Sequence, residues 1–296
     1  MSGARGRDTL AMRAGEWVLY TLGRGVEIAT RPFDLWWVSR VMGRLGGRVL
    51  PLLPGPRARM AENLARVYPD RPAAWRRRLM RGVCEHFVRL CVEYVHLRRY
   101  AREVRIRLEG RDRVEAMKTP GKGTIVVTAH YANWEAIRLA LMAEGVECGI
   151  IYRAFNNRHA DRHAMGLIHI AGRPVMQKGA RGMRALHQHL AGGGVAMVLV
   201  DQRTSRAPLI PFLGHPAETV TVAALLALKT GADLVPAVAR REGERGEVAV
   251  TVEPPVPHSD ARTMMEAVNA RISAWIEACP EQWFWLHRRW RRKGQR

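Results

Sequence analysis

Short apolar runs rich in β-branched residues alternate with longer amphipathic stretches in the part of the chain that follows Pro120. Residues 124–128 and 195–200 have the length and composition of strands that are buried on both faces, and a further strand is predicted over 234–240. Helices are predicted around and between them, over about 133–144, 157–170, 179–191, 219–229 and 260–278. Strands separated by helices indicate an α/β fold with a mixed, mostly parallel sheet flanked by helices.

The N-terminal region has a different character, because residues 9–50 mix aromatic side chains with arginines. Trp36 and Trp37 belong to a pattern that suits amphipathic helices at a lipid–water interface, although such helices also pack on a protein core. Prolines at positions 51, 54 and 56 end this pattern. We therefore predict membrane-associating helices over 1–56 and the α/β domain over 57–296.

The net charge limits the partners that this chain can have. It carries 48 Lys and Arg residues against 27 Asp and Glu, a formal charge of +21. Such a field attracts nucleic acid, anionic lipid headgroups or an acidic carrier protein. No recognised nucleic-acid-binding motif is present, so we expect no nucleic-acid partner and keep a basic nucleic-acid-binding protein only as a distant alternative. No apolar run is long enough to span a bilayer, so membrane contact is expected to be peripheral or monotopic.

The segment from Thr128 to Glu135 carries the clearest indication of chemistry. His130 lies just past a predicted buried strand, at the end of the sheet where α/β proteins bind ligands. Glu135 comes five residues later, in the first predicted turn of the next helix, from which its carboxylate can reach one imidazole nitrogen. The other nitrogen can then take a proton from an attacking hydroxyl. A histidine at a strand end is also a common capping or surface residue, so the spacing alone leaves both interpretations open.

This pair resembles the His-x4-Asp/Glu motif of the glycerolipid acyltransferases. Further blocks are similar to one branch of them, which contains the bacterial lipid A late acyltransferases (lauroyl and myristoyl transferases) and the phosphatidylinositol mannoside acyltransferases. In chain order these blocks are residues 59–64, 68–69, 152–153, 156–157, 172–173, 200–202, 211–214, 216–217, 219, 234–236, 240–241 and 280–289. The resemblance covers roughly residues 57–292, and the ordered blocks together are far more specific than any one of them.

The resemblance implies roles for several residues. His130 is expected to be the general base and Glu135 its partner. Arg153 and Arg173 are expected to hold a phosphate or the oxygen of a thioester carbonyl, because a guanidinium binds either, unless they are plain surface charges. Asp201 is expected to orient one of these arginines or the acceptor, or else to cap its loop.

Arg288 completes the predicted site, where it supports either headgroup binding or the fold. The resemblance implies an O-acyltransferase of lipid A biosynthesis that acts at the cytoplasmic face of the bacterial inner membrane. The donor would be an acyl thioester on acyl carrier protein, or acyl-CoA, and the acceptor a lipid A precursor or related glycolipid. A lysophospholipid or another glycolipid is the alternative acceptor, and no bound cofactor or metal is expected. The proline- and glycine-rich stretch through Gly214 is predicted to be a loop.

Overall fold

The computed structural model describes residues 10–155 and 157–290. Asn156, which belongs to one of the similar blocks, and the first nine residues of the predicted membrane-associating segment lie outside this range. The strands are β1 (Arg105–Glu109), β2 (Thr124–Thr128), β3 (Cys148–Tyr152), β4 (Val175–Gln177), β5 (Val195–Leu199), β6 (Leu209–Phe212), β7 (His215–Glu218), β8 (Asp233–Arg241) and β9 (Glu247–Val252).

Seven of these strands form one sheet in the order β1-β9-β8-β2-β5-β3-β4. All neighbouring pairs are parallel except β8 and β9, which are antiparallel. The prediction of a mixed, mostly parallel sheet is therefore confirmed. Every residue of β2 is buried, as its uninterrupted apolar and β-branched composition predicts for a central strand.

Helices cover both faces of the sheet. They are α1 (Leu10–Thr30), α2 (Leu35–Val49), α3 (Pro54–Val67), α4 (Ala73–Val95), α5 (Leu97–Glu103), α6 (Arg111–Ala116), α7 (Glu135–Ala143), α8 (Arg158–Ile168), α9 (Ala180–Ala191), α10 (Val222–Thr230) and α11 (Ala261–Ala278). One apolar core includes residues of α3, α4, α9, α10 and α11, and a second core on the sheet includes residues of α6 and α7. The α/β architecture predicted from the sequence is thus present.

Two features of the strands differ from the prediction. The edge strand β1 precedes Pro120, and its alternation of charged and apolar residues fits a strand with one solvated face. The stretch through Gly214, predicted as a loop, instead forms the antiparallel β6–β7 hairpin. Its Pro211 is tolerated because a two-stranded hairpin leaves strand edges on which a missing N–H costs nothing.

Helix α2 packs closely on α4 and displays its other face to solvent. A Cβ on Gly43 would lie 2.5 Å from the Arg89 side chain, so only glycine permits this approach of the two helices. Trp36, which was predicted to lie at the lipid interface, is 6 % exposed and packs against Tyr100, whereas Trp37 is 48 % exposed. None of the described helices combines the length and the apolar character needed to span a bilayer.

Candidate active site

His130 and Asp201 lie side by side at the carboxyl ends of two neighbouring parallel strands. The register pairs Thr128 of β2 with Leu199 of β5, and each of the two polar residues follows two positions after its member of that pair. Parallel strands present their carboxyl ends at one edge of a sheet, where α/β proteins assemble their ligand sites. The order of the strands therefore brings these two side chains together.

Asp201 holds His130 through two hydrogen bonds. The imidazole Nδ1 lies 2.7 Å from the carboxylate Oδ1, and the backbone N–H of His130 donates to Oδ2 at 2.9 Å. The indole Nε1 of Trp283 also donates to Oδ2, at 2.8 Å. The carboxylate side chain is only 2 % exposed, whereas that of His130 keeps 24 % of its surface exposed. The imidazole is thus anchored on its inner side and accessible on its outer side.

The surroundings of Asp201 keep it ionised. Burial by itself raises the pKa of this carboxyl group, but the His130 ring, the Trp283 indole and the His130 amide outweigh burial and lower the pKa to about 2. An ionised carboxylate only accepts hydrogen bonds, so Nδ1 carries the proton that it shares with Oδ1. In the neutral ring Nε2 is then the acceptor nitrogen, and the exposed side-chain amide of Gln202 donates to it at 3.3 Å.

Glu135 does not contact His130, so the predicted hydrogen bond between them is wrong. The Glu135 side chain is fully buried, its Oε2 accepts from Nη1 of Arg138 at 2.7 Å, and its Oε1 accepts from the Tyr94 hydroxyl at 3.0 Å. The chain turns between His130 and Glu135, where Ala132 has a φ of 44°. The first turn of α7 then directs the carboxylate to Arg138, three residues further along the same helix.

Arg138 uses its remaining donors to hold the backbone behind the site. It donates to the carbonyl oxygens of Cys148, Ile168 and Gly172, at 3.0, 3.1 and 2.6 Å. Its side chain is fully buried, and Glu135 is its counter-charge. The pair therefore fixes the position of β3 and of the segment after α8 relative to α7.

We expect Glu135→Gln to lower the free energy of unfolding by about 3 kcal/mol or more, because it leaves a buried guanidinium without its counter-charge. Turnover per folded molecule should change little. Thermal denaturation measures the first effect, and activity corrected for the folded fraction measures the second. An unchanged unfolding temperature together with a large loss of turnover would indicate that Glu135 takes part in the reaction.

An apolar cavity of about 510 Å³ opens beside His130. Its aliphatic lining includes Ile150, Ile151, Met183, Leu186, Val198, Leu199, Val222 and Leu226. The Trp134 ring lies on the same side, with its centroid 5.1 Å from that of the imidazole. The volume falls within the range of about 300–1,000 Å³ that is usual for small-molecule sites. Such a lining favours a hydrocarbon chain over a polar ligand.

Two cations border this cavity. Arg153, which the sequence pointed to, is exposed and lines it directly after β3. Lys178 lines it directly after β4, and its backbone N–H donates to the carbonyl of Tyr152 at 2.7 Å. Nothing in the sequence distinguished Lys178 from the other cations. Arg173 is exposed but is not among the lining residues, so its binding role stays a prediction, and Arg288 lines a separate cleft.

The C-terminal segment, residues 280–290, holds the loop that carries His130. The backbone N–H of Ala132 donates to the carbonyl of Gln282 at 2.8 Å, and that of Phe284 donates to the carbonyl of His130 at 3.0 Å. Together with the Trp283 indole, these contacts position both members of the histidine–aspartate pair. Sequence reasoning identified this block through its resemblance alone and assigned Trp283 no role, because its partners lie far away in the chain.

The site therefore combines a histidine held by a buried carboxylate with a recess suited to a hydrocarbon chain. A family model described as bacterial lipid A biosynthesis acyltransferase matches residues 7–292. The chain belongs to this family. The match includes α1 and α2, whereas the resemblance found in the sequence began only near residue 57.

Two relatives of this acyltransferase carry a more specific name. They are the phosphatidylinositol mannoside acyltransferases of Mycobacterium tuberculosis strains H37Rv and CDC 1551. Each is 25 % identical over 264 residues, which cover 83 % of this chain and 80 % of the relative. The sequence-based expectation of an acyltransferase from the branch that includes both groups is confirmed.

Proposed function

We propose that this enzyme transfers a fatty acyl chain from a thioester donor to a hydroxyl of a membrane glycolipid, with His130 as the general base. The observation that carries the proposal is the His130–Asp201 pair at the border of the apolar cavity. A lipid A precursor is the acceptor that the family name favours. A mannosylated phosphatidylinositol is the glycolipid that the relatives' name favours, and both offer sugar hydroxyls.

In the proposed reaction, Nε2 of His130 removes the proton from the acceptor hydroxyl as its oxygen attacks the thioester carbonyl carbon. The imidazolium that forms is stabilised by Asp201, which stays ionised. The tetrahedral intermediate then collapses, the carbon–sulfur bond breaks, and the departing thiolate takes the proton back from Nε2. The products are an ester and a free thiol, so the imidazole ends the cycle as it began.

The apolar cavity is the proposed place of the donor's acyl chain. Arg153 and Lys178 border it, and a guanidinium beside an ammonium fits the phosphate of a pantetheine arm or the oxygen of the thioester. The donor we favour is acyl carrier protein, a strongly acidic partner, and the net charge of +21 would speed that encounter. Acyl-CoA would bring the same thioester and pantetheine chemistry.

Helix α2 provides the proposed contact with an anionic membrane. One face carries an apolar row at four-residue spacing, termed the α2 stripe: Trp37, Val41, Leu45 and Val49, which are 41–52 % exposed. The ring of Phe33 lies 5.8 Å from that of Trp37 and extends the stripe. Arg44 and Arg48 are exposed on the same helix, and cations beside an apolar face suit anionic headgroups. From these features of α2 and from the family to which the chain belongs, we propose that the enzyme acts at the cytoplasmic face of the inner membrane.

We expect Trp37→Ser combined with Leu45→Ser to weaken binding to vesicles of phosphatidylglycerol and phosphatidylcholine by at least about tenfold, since each buried apolar side chain contributes about 1.5–3 kcal/mol. Wild-type binding should also fall as salt rises. Co-sedimentation measures both effects. Leu209→Ser is the matched control, because Leu209 is 53 % exposed and Leu45 52 %. Equal binding by the double variant and the control would remove the α2 stripe from the membrane contact.

The direct test of the function has two parts. Lipid mass spectrometry of a deletion strain should reveal a glycolipid that has lost one acyl chain, and complementation should restore it. Purified enzyme should then release free thiol from acyl carrier protein or acyl-CoA only as the extracted lipid becomes acylated. An unchanged lipid profile together with no thiol release from either donor would contradict the proposal.

A further inference from the structure

We propose that a second recess beside His130, termed the cationic cleft, binds a phosphate of the acceptor's headgroup; this inference rests on the proposed acyl transfer. The cleft has a volume of about 550 Å³. Its lining consists of Arg59, Phe87, Phe284, Leu286, His287 and Arg288. It therefore joins α3 and α4 to the C-terminal segment.

The imidazole of His130 lines the apolar cavity and lies close to one wall of the cationic cleft. The Trp134 ring, which lines the cavity, lies 5.1 Å from it, and the Phe284 ring, which lines the cleft, lies 6.2 Å from it. The Phe87 ring continues the cleft wall, 5.4 Å from that of Phe284. If the acyl chain fills the cavity, the acceptor hydroxyl has to approach Nε2 from outside the cavity, and the cleft is the adjoining recess.

Arg59 and Arg288 give the cleft its charge. Both side chains are exposed, and within the described residues neither forms an ion pair or a side-chain hydrogen bond. By contrast, nearby Arg203 is paired with Glu218. A guanidinium without a counter-ion offers a planar pair of donors that matches a phosphate. Two of them at the border of one recess favour a phosphate over a neutral sugar alone.

A hydrogen-bond link joins the two backbone segments that carry these arginines. Asn63 lies one helical turn after Arg59 on α3, so the two side chains share a face. The Asn63 amide donates to the carbonyl oxygens of Trp285 and His287, at 2.8 Å each. Arg288 directly follows His287. The cleft is thus formed by a connection between α3 and the C-terminal segment rather than by mobile side chains alone.

His287 contributes a neutral donor. Burial lowers the pKa of its ring to about 4; the Asp201 carboxylate acts against this shift, and neighbouring cations add to it. Its Nε2 accepts the backbone N–H of Arg203 at 3.0 Å, so in the neutral ring Nδ1 carries the proton. The lining therefore offers two cations and one neutral N–H donor, a combination suited to a phosphorylated sugar.

The test uses two soluble probes, glucose 1-phosphate and methyl glucoside, which differ in the phosphate. Ligand-observed NMR titration of the full-length protein gives the dissociation constant of each. We expect the wild type to bind glucose 1-phosphate at least about tenfold more tightly, since hydrogen bonds to charged groups are the stronger ones. Arg59→Gln combined with Arg288→Gln should abolish this preference, with the fold checked by circular dichroism.

The control variant is Arg181→Gln with Arg184→Gln, which removes the same charge from exposed positions of α9. It should keep the preference for the phosphate. In acyl-transfer assays the Arg59/Arg288 variant should raise the Michaelis constant for the lipid acceptor at least about tenfold and leave that for the donor unchanged, which separates acceptor phosphate from the phosphate of the pantetheine arm.

Three results would overturn the inference: no phosphate preference in the wild type, a preference that survives loss of both arginines, or an effect on the donor constant alone. The binding titration needs no turnover. A protein that shows the phosphate preference but transfers no acyl group would therefore contradict the proposed function and leave phosphate binding by the cleft established. A protein that transfers acyl groups but shows no binding of glucose 1-phosphate in the titration would contradict only the proposed phosphate binding by the cleft.

Discussion

His130→Ala is expected to lower acyl transfer by at least about a hundredfold, the lower end of what a positioned proton acceptor contributes. The variant loses an imidazole whose Nδ1 is held by Asp201 and whose Nε2 is the proton acceptor on the exposed side of the site. Steady-state rates with saturating donor and acceptor measure the effect. The Michaelis constants should change little, because the other residues that line the two recesses are left in place.

The fold of this variant should survive, because Asp201 keeps the hydrogen bonds from the backbone N–H of residue 130 and from the Trp283 indole. His130→Gln gives a second, independent measurement. Its amide can still donate to the Asp201 carboxylate, but it cannot accept a proton during the reaction. If either variant is folded and transfers acyl groups at a rate near that of the wild type, His130 is not the base.

The sequence predicted the central part of the fold well, since burial on both faces leaves a local signature. Residues 124–128 form β2 as predicted, and 195–200 and 234–240 match β5 and β8 to within a residue at each end. The edge strand β1 carries only a weaker signature, an alternation of charged and apolar residues, and it was not predicted. Its parallel partner β9 lies far away in the chain.

The same distinction between local and distant information explains the site. The spacing of His130 and Glu135 is visible in the sequence, and it predicted a contact that the structure does not contain. The residue that holds His130 is Asp201, 71 positions away, and only the adjacency of β2 and β5 brings the two together. Strand order depends on the packing of the whole domain, so the spacing of residues in the sequence could not predict it.

Helix α2 shows a similar limit. Trp36 and Trp37 are adjacent in the sequence and have the same chemistry, so composition could not separate them. The packing of α2 on α4 turns Trp36 inward against Tyr100 of α5 and leaves Trp37 exposed. The interfacial pattern of aromatic residues and arginines was thus a mixture of core residues and surface residues.

Asp201→Asn is expected to lower the turnover number by about 10²- to 10⁴-fold, because it should reverse the tautomer of the catalytic imidazole. Two N–H groups, the His130 amide and the Trp283 indole, donate to Oδ2 of the carboxylate. An asparagine at this position must therefore place its carbonyl oxygen where Oδ2 lies. Its NH₂ group then occupies the place of Oδ1 and donates to Nδ1 of His130.

An Nδ1 that accepts a hydrogen bond leaves the proton on Nε2, which can then no longer act as the base. The loss should appear in the turnover number rather than in the Michaelis constants, since Asp201 is 2 % exposed and lies behind the imidazole. Glu135→Gln is the matched comparison, an acid-to-amide change in an equally buried carboxylate five residues from His130. If His130 depends on Asp201, only Asp201→Asn slows turnover per folded molecule. The opposite result, a large loss of turnover in Glu135→Gln and a small loss in Asp201→Asn, would instead support the histidine–glutamate pair that the sequence suggested. The carboxylate that supports proton transfer by the imidazole is the one whose replacement stops turnover.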